Sequence, residues 1–210
     1  QAFVTTDMDD NQITAFHPGA MNYAHENNVS DANGITIGMV SPDGREAMVQ
    51  HAEQFAEAGI PFIFDPGQGL PMFDGPEILH FIELADWLTV NDYEWQLIQQ
   101  RSGLSEKQLT ERLRALIVTR GGEGSAICTN PKRHVIPCAQ AAVAEDPTGC
   151  GDAYRAGLLY GLLNDFDWET TGRLAAIMGA IKIEKHGTQN HFQEREAIFT
   201  RFKDEFGYAI

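Results

Sequence analysis

The stretch Asp146-Pro147-Thr148-Gly149-Cys150-Gly151-Asp152, running into Ala153-Tyr154-Arg155-Ala156-Gly157-Leu158-Leu159, decides how the rest of the chain is read. Pro147 presets one turn dihedral and the glycines admit backbone angles that other residues resist, so the segment is a sharp turn that opens a helix. Ala156, Leu159, Tyr160 and Leu163 recur at i, i+3, i+4 and i+7, which predicts one buried helical face. The unpaired N–H groups of a helix start, with the helix dipole behind them, attract an anion, and Gly149 and Gly151 leave room for a phosphate to approach the backbone. Asp152 falls in the first turn beside that anion. A carboxylate is a poor phosphate ligand, but it suits a base that takes a proton from an attacking hydroxyl. An anion cradle next to a base is what phosphoryl transfer to an alcohol requires. An ordinary turn, with Asp152 as a helix-start charge, accounts for the same residues. Two other phosphate motifs are excluded. No G-x-x-x-x-G-K-[ST] occurs, and a dinucleotide fingerprint needs glycine or alanine where Tyr154 stands.

Upstream, strand and helix patterns alternate. Gln1–Thr6 and Gln12–Phe16 are two short strand-like runs around the acidic turn Asp7–Asn11, which predicts a hairpin. Ile35–Val40 predicts a strand. Residues 46–58 predict a helix with Met48, Val49, Ala52, Phe55 and Ala56 on one face and Gly59 as its stop. Pro61–Phe64 is a short buried strand, 78–84 a helix and Trp87–Val90 another strand. Residues 105–113 predict a helix with Ser105 as its N-cap, and Ala115–Thr119 is a continuous apolar strand of the buried parallel kind. His134–Pro137 is confined to an edge or an end by its proline. Helices are predicted from about Asp167 or Thr170 to near Lys185-His186-Gly187, with basic residues in the last turn, and over 193–206. Such alternation argues for a parallel sheet covered on both faces, which binds ligands beyond the carboxyl ends of its strands.

The polar clusters fall at those ends. Asn91-Asp92-Tyr93-Glu94 follows a strand directly and has the form of a capping box, Asn as N-cap with Glu three residues later. Thr119-Arg120-Gly121-Gly122-Glu123-Gly124 permits close approach of a flat or charged ligand, or simply turns a hairpin into Ala126–Thr129. Gly187-Thr188-Gln189-Asn190 is read either as a ligand loop or as a helix C-cap.

A chain of 210 residues is long enough for one domain with a sizeable core. A formal charge of −15 argues against general binding to nucleic acid or anionic membranes, though a local basic site remains compatible with it. Three cysteines (Cys128, Cys138, Cys150) have no metal-type spacing, and the odd count suits a reducing compartment. The histidines show no zinc-like arrangement, and His186 and His191 are read as loop or surface residues. No apolar run is long enough to span a bilayer and the N-terminus is not signal-like, so the expected location is cytoplasmic. The start on a strand residue, without leader or initiating Met, predicts a piece of a longer protein.

Asp146–Ala153 resembles the C-terminal signature of the ribokinase/PfkB family of sugar and nucleoside kinases, whose usual form is D-T-x-G-A-G-D. Here Pro147 follows the first Asp, and Cys150 replaces alanine, its backbone N–H being expected to serve equally. The ordered set of a hairpin, an N-x-x-E, a T-x-G-x-x-G at Thr119, Gly121 and Gly124, the central G-x-G-D and a late glycine loop is more specific than any one motif. The resemblance implies a ribokinase-like three-layer α/β/α sandwich with a mostly parallel central sheet and a small β lid. Residues 1–20 are then part of the lid, and 21–210 form an N-terminally incomplete nucleotide-binding and catalytic core.

By the same resemblance, Asp152 is the base, and the N–H groups of Gly149, Cys150 and Gly151 form the anion hole. Thr119, Gly121 and Gly124, with Gly187 and Asn190 closing the adenine pocket, bind ATP. Asn91 and Glu94 organise Mg²⁺ through water, and Asp146 and Thr148 lie at a monovalent-cation (K⁺) site. Phe3 and Phe16 of the lid line the acceptor site, or else pack the hairpin against the core. The expected reaction moves the γ-phosphate of ATP to a primary hydroxyl, and bacterial adenosine kinases of the family offer the nearest overall likeness. A ribose or fructose acceptor stays open, because the family's N-terminal substrate motifs are absent from this sequence. A non-catalytic nucleotide-binding regulator on the same fold stays open too, and so does a homodimer formed through lid strands.

Overall fold

The computed structural model describes residues 1–6 and 12–210. The N-terminal runs pair as predicted: β1 (Ala2–Thr6) and β2 (Gln12–Phe16) form a separate antiparallel ladder from Ala2↔Phe16 to Thr6↔Gln12. The acidic turn over 7–11 lies outside the described residues. Phe3 stands opposite Ala15 and Phe16 opposite Ala2, so the two aromatics are on opposite faces of the ribbon. Phe3 is 62% and Phe16 54% exposed, so neither packs the hairpin onto the core.

The body is one six-stranded sheet in chain order: β3 (Gly38–Val40), β4 (Phe62–Phe64), β5 (Trp87–Asn91), β6 (Ala115–Thr119), β7 (Ser125–Cys128) and β8 (Arg133–Ile136). The first four are parallel and the last two turn back as antiparallel hairpins. The crossover helices α1 (Arg45–Glu57), α2 (Gly75–Leu84), α3 (Asp92–Ser102) and the short α4 (Glu106–Thr110) lie between parallel strands. Right-handed crossovers place successive helices on one face of the sheet. Phe62, Phe64, Leu88, Val90, Leu116 and Val118 are buried against that layer. The alternate residues Ile63, Trp87, Ala115, Ile117 and Ile127 are buried with Tyr154, Leu158 and Ala175 on the other face. That face is covered by α5 (Cys150–Leu163) and α6 (Trp168–Ile183), with α7 (Arg195–Phe206) packed outside α6 through Phe202. The result is the sheet covered on both faces that the alternation predicts, in the three-layer form that the resemblance implies.

Three local readings are corrected. β3 spans Gly38–Val40 rather than starting at Ile35, because β4, its one partner among the described residues, pairs with it over three residues. The helix capped by Ser105 ends at Thr110, not 113. The buried side of α5 is Ala153, Tyr154, Gly157, Leu158 and Gly161, whereas Ala156 is exposed and Leu163 is 53% exposed. A Cβ on Gly157 would lie 2.6 Å from the Ala175 Cα, and one on Gly161 2.6 Å from Thr171 Oγ1. Close approach of α5 to α6 therefore selects a face of small residues, which a pattern of large apolar side chains does not register.

Candidate active site

The residues that alternate toward α5 at this edge of the sheet are Asp65, Asn91 and Thr119 at the carboxyl ends of parallel strands, Thr89 one step inside Asn91, and Ser125 at the start of antiparallel β7; the first turn of α5 lies over them. Tyr154 locks the two together: its hydroxyl and Ser125 Oγ are 2.7 Å apart and buried. Burial pushes that phenol up to about 12, so it stays neutral and acts as a strut.

Gly149 caps α5 with φ +87°, in the left-handed region, and a Cβ there would be 3.4 Å from the Thr188 backbone. Glycine is therefore required for the torsion, since a Cβ there would make only ordinary van der Waals contact. Among the described residues, the N–H groups of Gly149, Gly151 and Asp152 meet no protein acceptor, as expected at a helix start. The Cys150 N–H, expected to face the anion, is already committed to the Pro147 carbonyl at 3.1 Å. The open donors are thus Gly149 and Gly151, as expected, with Asp152 in the place of Cys150. The Asp152 side chain is exposed in the first turn of α5.

The turn after β6 approaches this helix start. Gly124 (φ +85°) must be glycine, since a Cβ would sit 2.2 Å from the Ile136 carbonyl. Thr119, Gly121 and Gly124 share a cavity of about 520 Å³ with Pro147, Cys150 and Gly151. Its far wall is Ala176, Gly179 and Ala180 of α6, small residues that leave space for a flat ring. The turn joins the β6–β7 hairpin as read, and it also walls a cavity.

Two site groups were not singled out by the sequence reading. The Arg155 guanidinium grips the Asp65 carboxylate with two nitrogens, Nε to Oδ2 and Nη2 to Oδ1, the second at 2.6 Å. Their side chains are 13% and 6% exposed. Burial pushes the Asp65 carboxyl up, and the hydrogen bond and charge of Arg155 only partly offset this. Burial lowers the Arg155 pKa, but Asp65, Glu94 and Asp152 outweigh that and hold it firmly charged, so one cation stands among three carboxylates. Arg155 also covers Gly151, where a Cβ would meet its Nη1 at 2.8 Å.

Asn91 and Glu94 form the capping box of α3: Glu94 N–H donates to Asn91 Oδ1 at 2.7 Å, and Asn91 N–H to Glu94 Oε2 at 2.8 Å. Burial pushes the Glu94 carboxyl up, against the lowering effect of the Asn91 N–H. Register pairs Asn91 with Thr119, so the box borders the nucleotide-sized cavity. No group of three or more His, Cys, Asp or Glu among the described residues could hold a metal by itself. Glu94, with one carboxylate oxygen left over from the cap, does fit Mg²⁺, a hard ion that commonly takes one or two carboxylates plus waters and substrate phosphates.

Asp146 ties the two loops beneath α5. Its carboxylate accepts the Thr148 N–H at 2.9 Å and the Gly187 N–H at 2.8 Å, and these bonds hold its pKa down at about 2. Because the folded value is depressed from 3.8, Asp146 contributes stability above the unfolded value, and that contribution is lost as pH falls through about 2. Asp146→Asn is therefore expected to be destabilised at neutral pH and to lose less further stability than wild type on acidification below pH 3.8, read from denaturant midpoints. The Asp146 carbonyl is occupied as well, by Lys182 Nζ at 2.7 Å. The Lys182 ammonium on that carbonyl already stands where a monovalent cation would draw on Asp146, and like charges repel, so the residues present do not fit the expected ion. Gly187 and Asn190 serve this loop in the structure: the Asn190 side chain donates to the His186 carbonyl at 3.0 Å, and neither residue lines the cavity. His186 is exposed and His191 half-buried, both in the loop as read. The cysteines are free, and no helix among the described residues is long and apolar enough to cross a membrane.

This geometry has close counterparts. A family model described as pfkB family carbohydrate kinase matches residues 1–195. The chain is 32% identical over 203 residues to a nucleoside kinase of Methanocaldococcus jannaschii, covering 97% of this chain and 67% of that protein. It superposes with a TM-score of 0.97 and 51% identity on a Burkholderia thailandensis nucleoside kinase in complex with inosine, covering all of this chain and 69% of the other. A Lactococcus lactis ribokinase is 28% identical over 128 residues, 60% of this chain and 41% of that protein. The chain thus spans about two thirds of the length of its nucleoside kinase relatives.

Proposed function

Because the chain belongs to the pfkB family of carbohydrate kinases, we propose that it transfers the γ-phosphoryl group of ATP to a primary hydroxyl of a purine nucleoside, with adenosine and inosine the leading acceptors. The observation that carries the reading is the open start of α5: free N–H groups, the exposed Asp152 carboxylate and the walled cavity meet at one turn. In the proposed step, Asp152 takes the proton from the acceptor hydroxyl. The oxygen bonds to the γ-phosphorus as its bond to the β-phosphate oxygen breaks, and ADP leaves. The N–H groups of Gly149, Gly151 and Asp152 stabilise charge on the transferred oxygens. Thr119, Gly121 and Gly124 seat the nucleotide, and the Asp146–Gly187 bond steadies the turn. Glu94, fixed by Asn91, would hold Mg²⁺ through water; the ion neutralises phosphate charge when bound. Phe3 and Phe16 are available to the acceptor only from opposite faces of the hairpin, so at most one of them contacts it in a given pose.

Inosine in the Burkholderia relative and the name nucleoside kinase on both near relatives support a nucleoside over a free sugar. The ribokinase likeness keeps a sugar acceptor as the second reading. The test is ADP release by the full-length protein with Mg²⁺ and ATP against adenosine, inosine, ribose, fructose and no acceptor. Turnover with either nucleoside and none with the sugars is expected. Turnover with a sugar alone would overturn the acceptor and keep the chemistry, and ADP binding without turnover on any acceptor would favour a regulatory nucleotide-binding role.

A further inference from the structure

Lys182 lies in the last turn of α6, where a lysine ordinarily extends its ammonium to water. Here it is fully buried, 0% exposed. Its Nζ donates to the carbonyl oxygens of Asp146 at 2.7 Å and Lys185 at 3.1 Å. Those carbonyls belong to the two loops that meet under α5: one runs into the Gly149 cap, the other carries Gly187. The same loops are joined by the N–H groups of Glu145 and Asp146, which both donate to the Ile183 carbonyl, at 2.8 and 3.1 Å. The ammonium is close under the helix start, since the Asp146 carbonyl that it holds is 3.9 Å from Cys150 Sγ. A buried ammonium is strongly unfavourable unless compensated. Carbonyl dipoles and the charge of the Asp146 carboxylate, which Lys182 helps to hold ionised, supply the compensation. Backbone carbonyls converging on a dehydrated positive charge are the elements of a monovalent-cation site. In this chain the charge arrives on a side chain.

We infer that Lys182 is a built-in monovalent cation: its ammonium holds the Asp146 and Lys185 carbonyls where a K⁺ ion would otherwise be required, and so fixes the Gly149–Asp152 turn for the phosphoryl group without any external ion. The inference rests on the phosphoryl-transfer reading. Lys182 touches no reacting atom and is a positioning residue. Its positive charge also reinforces the dipole of α5 at the end where the anion binds.

The test compares full-length wild type and Lys182→Ala in choline, sodium, potassium and ammonium chlorides at equal ionic strength, reading turnover, ADP affinity and melting temperature. Wild type is expected to give the same three values in every salt. Lys182→Ala is expected to lose about a hundredfold in turnover in choline, the scale of an ångström's misplacement near the reacting atoms. Potassium or ammonium should restore much of that loss and raise the variant's melting temperature, while choline, too large for the vacated space, should not. A purely structural lysine would not be rescued by a small ion. Wild-type turnover, ADP affinity or melting temperature that rises specifically with potassium overturns the inference. So does a folded Lys182→Ala protein that no monovalent ion improves. If the variant does not fold, the wild-type salt series still decides. If no acceptor is turned over, the kinase reading fails on its own, and the salt dependence of ADP affinity and melting still reads the cation site.

Discussion

Asp152→Asn is expected to lower turnover by about 10²–10⁴-fold, the usual contribution of a positioned general base, while ADP and ATP still bind. The substitution keeps the size of the side chain and leaves the N–H groups of Gly149, Gly151 and residue 152 in place. It removes the proton acceptor and one negative charge beside the triphosphate, so nucleotide affinity should hold or tighten. Calorimetric titration with ADP, together with single-turnover rates on the best acceptor, separates the two effects. A folded Asp152→Asn protein that keeps turnover within about tenfold of wild type would remove Asp152 from the mechanism. Loss of ADP binding together with turnover would instead point to collapse of the α5 start.

Arg155→Met is expected to destabilise the fold by about 3–5 kcal/mol, because it strands a carboxylate at the end of β4. Asp65 is 4% exposed and its carboxylate is held by two guanidinium nitrogens. Without them its pKa, already raised above 3.8 by burial, rises further, and the folded variant takes up a proton. A folded value above the unfolded one favours folding below the unfolded value and loses that contribution as pH rises. The gap between variant and wild type should therefore narrow from about pH 7 to about pH 5. Asp65→Asn in the Arg155→Met background should recover part of the loss at neutral pH, since no buried charge then remains unpaired. Denaturant unfolding at the two pH values reads both effects, and a change below about 0.5 kcal/mol would show that the pair carries little. Arg155 also stands among Asp65, Glu94 and Asp152, so turnover should fall beyond what lost stability explains, through repulsion of the nucleotide phosphates by carboxylates left without their cation.

Nearest-neighbour sterics and short periods are legible in the chain before it folds. The turn Asp146–Asp152 opens α5 because proline and glycine restrict or free the backbone whatever surrounds them, and Gly149 does adopt a left-handed torsion. The capping box Asn91–Glu94 closes over three residues, so it was readable before any fold was known. The alternation of strands and helices gave the layered parallel sheet, since period and handedness decide it locally. Tertiary structure alone decided the rest of the site. Asp65 and Arg155 are separated by 90 residues and meet only because alternation along β4 aims Asp65 at the face that α5 covers. Lys182 had the sequence signature of an ordinary basic helix end, and only the approach of the 145–149 loop buries it. The packed side of α5 differs from the one that its apolar period predicts, because Gly157 and Gly161 gain their value from the partner helix, which no period along one chain contains. Whether the helix-start N–H groups face an anion or turn back into the loop, as that of Cys150 does, likewise depends on how the loop docks. Local steric preference writes the elements and the signature turn. The charges that arm that turn come from distant parts of the chain, and only the packed sheet and helices bring them to one point.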